Sequence, residues 1–324
     1  MLSRVITFAS TVAIASAQTW YGLIADSPDT LFFAELSDKA VVTKKIVDIK
    51  LAPGEQAHTD AMRCLVGFCA FTTTVYEPTV QSFVTRINSA NGAILSKVPL
   101  KGDCAHMHVD FTTNHLYTLC IDDSSSGYSA VITEIASPTP NFVIDITSSV
   151  NKGIIRPGQT THCSAFHSMY VGVNNGGAGK DVIISVDLVT PKVSGTVTLQ
   201  KSALSRTLWA RCDGSNEIGG INWSAGSGPN SNGTAVFGDF STVDGSYTVW
   251  ATVGVPNEYE PSGLLTESET EQAIAAFYPV GTRPNSTKVT GYLWAVDPFA
   301  KVGDDYVTEY DFNLVAASFD RDGQ

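Results

Sequence analysis

A unit of about 52 residues recurs along the chain, and its length restricts the available architectures more than any other feature. Each unit holds a β-type run, a polar residue, a short turn and a second β-type run. It appears as AELSDKAVV around Glu35, RINSANGAIL around Asn88 and TEIASPTPNFV around Ile135. It returns as SVDLVTPKV around Asp187, GDFSTVDGSYTV around Asp239 and AVDPFAKV around Asp297. Successive anchors lie 53, 47, 52, 52 and 58 residues apart. A repeat of this size is one supersecondary unit that cannot bury its apolar face alone, so neighbouring copies must stack. Alternating or β-branched runs such as TLFFAE (residues 30–35), SFVTRI (82–87) and VIISVD (182–187) dominate, with Gly, Pro, Asn and Ser between them. One stretch, TESETEQAIAAF (266–277), has a helical look without an apolar face. The chain therefore reads as all-β.

The N-terminus predicts the compartment. In MLSRVITFASTVAIASAQ, Arg4 precedes an apolar run over residues 5–15, and Ala15-Ser16-Ala17 supplies a small-residue cleavage pattern. That is the form of a secretory signal peptide, too short to span a bilayer. The expected organisation is a signal peptide over residues 1–17 and one domain over residues 18–324. No later segment approaches 18 uninterrupted apolar residues, and the C-terminus carries neither a lipid-anchor tail nor a retention tetrapeptide. Six cysteines and three glycosylation sequons, at Asn222, Asn232 and Asn285, agree with a secreted, extracellular glycoprotein.

Six units of the observed period fill the 307 residues from position 18 to 324. This is the period of a β-propeller blade, four antiparallel strands arranged radially around a channel. The segment NLVAASF (313–319) is one more strand with no partner after it, and the first unit lacks an inner strand. A C-terminal strand completing the N-terminal blade would close the ring and remove both open edges. The fold prediction is thus a six-bladed propeller closed by its C-terminal strand. Seven blades of about 44 residues fit the anchors less well, and a double β-sandwich ranks third. Across the mature chain the sequence resembles the large superfamily of propellers whose blades carry a strand–Asp–turn–Gly–strand motif, although several units lack the Asp or the Gly. That resemblance implies architecture and leaves activity open, since one fold hosts many functions.

Composition excludes some partners. With 43% hydrophobic and 16% charged residues the chain can bury a large core. Lys plus Arg number 20 against 32 Asp plus Glu, a net charge of −12. A chain of that charge without a basic stretch is a poor partner for nucleic acid or an anionic membrane. The expected form is a monomer whose partner is an extracellular protein, a glycan or a small molecule.

Candidate site residues follow from the blade model, in which loops entering the inner strands surround the channel mouth. His58, His108 and His162 recur about one blade apart, and Asp60 and Asp110 share their register. Imidazole with carboxylate suits zinc, copper or iron. A hydrogen bond from each histidine to a loop carbonyl is the competing structural reading. His106, Arg206, Arg211, Asp213 and Glu271 complete the expected ligand face. The acidic loop carrying Glu258, Glu260, Glu267, Glu269 and Glu271 would offer oxygen ligands to calcium, or would simply be solvated. The cofactor expectation is one divalent metal ion, calcium or a transition metal. His115 and His167 fall near inner hairpin turns and read as structural; Trp209, Trp223 and Trp250 read as packing rather than as a carbohydrate platform. NGGAGK (175–180) reads as a hairpin loop, lacking Walker spacing and a following helix.

Cys104 with Cys120, and Cys64 with Cys69, would flank inner hairpins, leaving Cys163 with Cys212 to join neighbouring blades. Six cysteines allow fifteen pairings, so this connectivity stands on the blade model alone. Catalytic signatures such as Gly-x-Ser-x-Gly and His-Glu-x-x-His are missing. Two functions remain: a secreted propeller binding a ligand on its channel face, and a metal-dependent hydrolase of the lactonase or esterase kind.

Overall fold

The computed structural model describes residues 19–27, 29–37, 42–65, 67–110, 115–122, 127–134, 140–150, 153–155, 159–163, 166–175, 180–200, 207–210, 215–224, 233–255, 259–267, 273–279, 291–297, 302–310 and 313–319. For some of these, among them 59–61, 109, 110 and 259–310, only the backbone is described. Within the described residues each group of consecutive strands folds on itself. The first three are β1 (Trp20–Ser27), β2 (Thr30–Leu36) and β3 (Val42–Lys50). Next come β4 (Glu55–Leu65), β5 (Phe68–Val75), β6 (Gln81–Asn88) and β7 (Ile94–Lys101). They are followed by β8 (Asp103–Asp110), β9 (His115–Asp122), β10 (Gly127–Glu134) and β11 (Pro140–Asp145). A four-residue helix, α1 (Thr147–Val150), leads towards β12 (Thr160–Cys163), β13 (Ser168–Val173), β14 (Val182–Asp187) and β15 (Lys192–Thr198). Then come β16 (Thr207–Ala210), β17 (Glu217–Ser224), β18 (Gly233–Ser241) and β19 (Tyr247–Val255). The series ends with β20 (Tyr259–Glu267), β21 (Ala273–Pro279), β22 (Gly291–Asp297), β23 (Val302–Tyr310) and β24 (Asn313–Phe319).

Among the described residues these strands form six four-stranded antiparallel sheets. The last strand returns to pair with the first, Trp20 opposite Phe319 and Leu23 opposite Ala316. The first sheet therefore runs β24-β1-β2-β3, built from both ends of the chain. The innermost strands β24, β4, β8, β12, β16 and β20 abut one another in succession around a closed ring. The architecture is a β-propeller, with no room for the sandwich alternative.

The sequence repeat marks one place in every sheet, the hairpin between the third and the outermost strand. Its polar anchor has a local job. Asn88 Oδ1 accepts hydrogen bonds from the backbone N–H groups of Ala90 (3.0 Å) and Asn91 (3.1 Å). Asp187 Oδ1 does the same for Val189 (2.9 Å) and Thr190 (3.0 Å). A short side chain with an acceptor oxygen satisfies turn donors that no strand partner reaches. Two of these turns, at Gly92 and Gly245, also seat their sheet on the preceding one. Gly245, at φ +71°, lies so close to β15 that a Cβ would stand 2.1 Å from the Thr198 carbonyl oxygen. Gln200 N–H donates to the Gly245 carbonyl at 2.9 Å. Gly245→Ala should cost about 1–2 kcal/mol from the left-handed backbone alone, and more from the backbone collision. Urea denaturation with an unchanged slope checks this.

Burial follows position in the sheet. Second strands are buried on both faces where their side chains are described; β5 buries Cys69, Ala70, Phe71, Thr72, Thr73 and Thr74 in succession. Outer strands alternate instead, β15 between half-buried and exposed positions. Tyr21 and Phe33 stack at 5.2 Å within the first sheet, and the largest core cluster continues into the second and third sheets. The open outer edges carry lysines and a proline: Lys44, Lys45 and Lys50 on β3, and Lys97, Pro99 and Lys101 on β7. Such residues discourage edge-to-edge pairing, and they account for part of the modest basic content of an acidic chain.

Two sequence expectations are corrected. The helical-looking stretch 266–277 belongs to β20 up to Glu267 and to β21 from Ala273 onward. Its apolar run is the second strand of a sheet, and a short continuous apolar run cannot be told from a helical segment by periodicity alone. The short helix α1 has no counterpart in the sequence reading; Thr147 N–H donates to Asp145 Oδ1 at its start (2.8 Å).

Candidate functional site

The side chains singled out by sequence lie on the inner strands of the second to fourth sheets. They do not sit on loops leading into those strands. Gly54 (φ +77°) and Gly102 (φ +87°) complete the turns, so β4 starts at Glu55 and β8 at Asp103. His58 is consequently the fourth residue of β4, His108 the sixth of β8 and His162 the third of β12. Among the described residues no group of three or more His, Cys, Asp and Glu side chains is placed to hold a metal together. The side chains of Asp60 and Asp110, and all of Arg206, Arg211, Asp213 and Glu271, lie outside the described residues, as do Asn232 and Asn285.

His58 stands in a bulge of β4. Ala57 pairs with Thr73 and Met62 with Phe71, so residues 58–61 face Thr72 alone. Its Nε2 lies 2.6 Å from Thr74 Oγ1 and 3.0 Å from Asp103 Oδ1, the first residue of the next inner strand. Tyr76 OH donates to Asp103 Oδ2 at 3.2 Å, and Cys104 N–H donates to Ser82 Oγ at 2.7 Å. Burial pushes the Asp103 carboxyl up, but His58, Tyr76 and Thr74 outweigh it and hold the group below the ordinary carboxylate range. His58 thus ties the second sheet to the third. Nearby, the buried Glu55 carboxylate receives Lys97 Nζ at 2.7 and 3.0 Å, Thr73 Oγ1, and Ala52 N–H at 2.9 Å.

A second bulge, in β8, lies two residues before a pair of neighbouring imidazoles. Ala105 pairs with Leu119 and Met107 with Thr118, leaving His106 as the extra residue. His106 is only 4% exposed and has φ +59°, a conformation that non-glycine residues seldom adopt. Two residues on, the buried His108 places Nε2 2.9 Å from Thr160 Oγ1 of β12. The His108 and His162 rings are 6.4 Å apart, and Tyr117 of β9 lies 4.9 Å from His162. Burial first, and then the positive or ionisable neighbours Arg63, His162 and His106, hold the His108 imidazole well below its ordinary range. It is neutral at neutral pH.

Register shifts interrupt four of the six inner strands, β24, β4, β8 and β20, and are missing from the four-residue strands β12 and β16. The β8 bulge differs in placing a buried histidine at positive φ. A bulge that places a buried polar residue in a strained conformation marks a functional position more often than a structural one. The conformation itself is testable. His106→Gly adopts φ +59° freely, whereas a β-branched side chain does not; His106→Val should therefore be less stable than His106→Gly by about 1–3 kcal/mol. Chemical denaturation of the pair measures the difference.

The depressed His108 group also sets a pH dependence. Because its folded value lies below the unfolded one, the unfolded chain binds the proton first as pH falls. The stability is whole above about pH 6.5 and is lost on acidification below it. Unfolding midpoints measured between pH 7.5 and 5.5 should fall in the wild type and change less in His108→Gln.

Sequence reasoning found His106, His108 and His162 but grouped His58 with the latter two. It missed Arg63, Asp103, Tyr117 and Thr160, whose proximity follows from strand register and ring closure. His115 opens β9, and His167 lies in the turn before β13 with φ +45°. Asn222 is half-buried in β17, an interior strand of its sheet. The Trp250 ring lies 5.7 Å from Phe237, in keeping with packing. The disulfides Cys64–Cys69 and Cys104–Cys120 join β4 to β5 and β8 to β9, each beside a bulge. Cys163 is also disulfide-bonded, and Cys212 lies outside the described residues.

Neither a protein-family model nor a curated protein matches the chain. Among solved structures, TolB from Acinetobacter baumannii is similar with a TM-score of 0.55 at 11% identity, over 93% of this chain and 66% of that one. A putative 6-phosphogluconolactonase from Bacteroides uniformis gives 0.50 at 10% identity, over 94% and 100%. The β-propeller domain of the Trilobed protease from Pyrococcus furiosus gives 0.46 at 9% identity, over 78% and 71%. At such identities the first two likenesses speak to fold alone, and with the ring of sheets described above they make this chain a β-propeller.

Proposed function

We propose that the protein is an extracellular β-propeller that binds a small ligand through the channel wall of its second to fourth sheets. The observation that carries this reading is the bulge at the buried His106, held at positive φ two residues before His108, whose ring lies 6.4 Å from that of His162. Buried polar groups gathered on a rigid ring are the usual make-up of a specific binding site. Thermal unfolding against a panel of small metabolites and oligosaccharides tests it. A ligand that raises the midpoint of the wild type, and not that of His106→Gly or His108→Gln, supports the site. Stabilisation unaffected by both substitutions would place binding elsewhere.

The extracellular part of the reading rests on the signal-peptide pattern together with two disulfides, which persist in an oxidising compartment. Intact mass of the exported protein tests it, with Gln18 as the expected first residue. A metal-dependent hydrolase is the second reading, favoured by one observation: His108 is held in the neutral form that ligates metals. Elemental analysis of untagged protein separates the two. A stoichiometric transition metal lost in His108→Ala and His162→Ala would favour the hydrolase.

A further inference from the structure

We propose that Arg86 of β6 and Ser96 of β7 form a binding site for a small oxyanion, a carboxylate, sulfate or phosphate group. It lies on the face of the second sheet that looks toward the third. This goes beyond the channel-wall reading and uses none of its residues.

The geometry starts from strand register. Arg86 stands opposite Ser96 in the ladder of β6 with β7, and opposite Ala70 in the ladder of β5 with β6. Directly opposed residues have Cβ atoms about 4.5–5.5 Å apart, so one small ligand can touch both side chains. Alternation along β6 puts Arg86 on the face that also carries Ser82. Ser82 Oγ accepts a hydrogen bond from Cys104 N–H of β8, and that contact identifies the face as the one toward the third sheet. The Arg86 guanidinium carbon lies 4.5 Å from the centroid of the Phe68 ring. The ring steadies the cation but offers no acceptor to its N–H groups. Arg86 Nε and Ser96 Oγ are both buried, and among the described residues neither has a hydrogen-bond partner. Asn88, two residues further on the same face, commits its Oδ1 to the N–H groups of Ala90 and Asn91.

Charge gives the second argument. Lys97, the residue after Ser96, takes the opposite face and reaches the buried Glu55 carboxylate at 2.7 Å. Lys44 likewise pairs with Glu35, and Lys45 with Asp48. Among the described residues Arg86 has no carboxylate of this kind, although the chain carries 32 Asp and Glu. Burial pushes its guanidinium below the ordinary range, yet an arginine stays charged in a protein. A half-buried cation and a buried hydroxyl without acceptors both carry a desolvation cost. An oxyanion offsets both costs together. Nε–H and one Nη–H donate in parallel to two of its oxygens, and the Ser96 hydroxyl donates to it from the neighbouring strand. The planar fork selects an anion with two or more oxygens over a halide. A net charge of −12 opposes loose accumulation of anions on the protein, so a saturable response has to come from this local fork.

The experiment is nuclear magnetic resonance of the arginine Nε–Hε groups in the intact protein, of which the chain has few, with eight arginines in all. Sodium sulfate, phosphate and acetate are titrated separately, against sodium chloride at matched ionic strength. The Arg86 Nε–Hε signal should shift saturably with at least one oxyanion and stay in place with chloride. The backbone amides of residues 95–97 should follow with the same midpoint. In Arg86→Met, checked for folding by circular dichroism, those amides should no longer respond. In Ser96→Ala the midpoint should rise by about two- to tenfold, the worth of one hydrogen bond. A response to sulfate and phosphate alone identifies a sulfate- or phosphate-bearing ligand, and a response to acetate a carboxylate. An equal response to chloride, a shift that does not saturate, or no shift with any of the three would overturn the proposal. The last result is also what a carboxylate of the chain already paired with Arg86 would give. The wild-type titration stands even if a variant fails to fold.

Discussion

A chain ending at residue 312 should not accumulate as a folded protein. Such a truncation removes β24, whose Leu314, Val315 and Ala316 are fully buried, and uncovers Trp20, Leu23 and Ile24 on β1. It also deletes Ser318 Oγ, which accepts a hydrogen bond from Cys64 N–H at 2.9 Å. Burying a Leu or Val side chain is worth about 1.5–3 kcal/mol. Several such losses together approach the whole net stability of a typical domain, about 5–15 kcal/mol. The greater damage is topological. Without β24 the inner edge of β1 exposes unpaired backbone groups, and β4 and β20 lose the strand that stands between them. Yield of folded protein and its elution on size exclusion are the readouts. Leu314→Asp should act in the same direction through a single buried charge. A truncated chain that is monomeric and cooperatively folded would show that ring closure is dispensable.

Removing the Cys104–Cys120 bridge should be the next largest effect. The bond closes a sequence separation of 16 residues, against 5 for Cys64–Cys69. Chain-entropy arguments give about 3 kcal/mol for the longer loop and about 2 kcal/mol for the shorter. Cys104 and Cys120 are buried and sit directly opposite each other, two residues before the His106 bulge on β8. That bulge interrupts the ladder, so the bridge holds the inner strand to β9 where backbone pairing is weakest. The double substitution Cys104→Ala/Cys120→Ala should therefore lose more stability than Cys64→Ala/Cys69→Ala in urea denaturation. It should also weaken any ligand that depends on His106 or His108. The opposite ranking would mean that the bridge beside His58 carries the greater constraint.

How far the molecule can be read from its sequence depends on the range of the interaction involved. Asn88 and Asp187 are legible because their side chains cap turns two and three residues away. Such local chemistry, at the same place in two sheets, exposes the period. The pairing of Cys64 with Cys69 and of Cys104 with Cys120 followed from that period, as each pair lies across one inner hairpin. The stretch 266–277 misleads for the converse reason: its second half is strand only because other strands flank it.

The candidate site was legible only in its residue types. Three histidines at blade spacing were visible, but their registers were not, because register depends on where each inner strand starts and how many bulge residues precede the histidine. One extra residue shifts every later side chain along a strand. That shift, taken up by His106 in β8 and by residues 58–61 in β4, sends His58 to Asp103 and brings His108 to Thr160 and His162.

By itself, then, the amino-acid sequence determined the strand-and-turn alphabet, its period and the union of the two chain ends in one sheet, all set by contacts among near neighbours or by apolar runs. Only the tertiary structure decided which polar side chains share the channel wall. Arg63, His108 and His162 lie far apart along the chain, and ring closure with bulged registers is what brings them within range of one another.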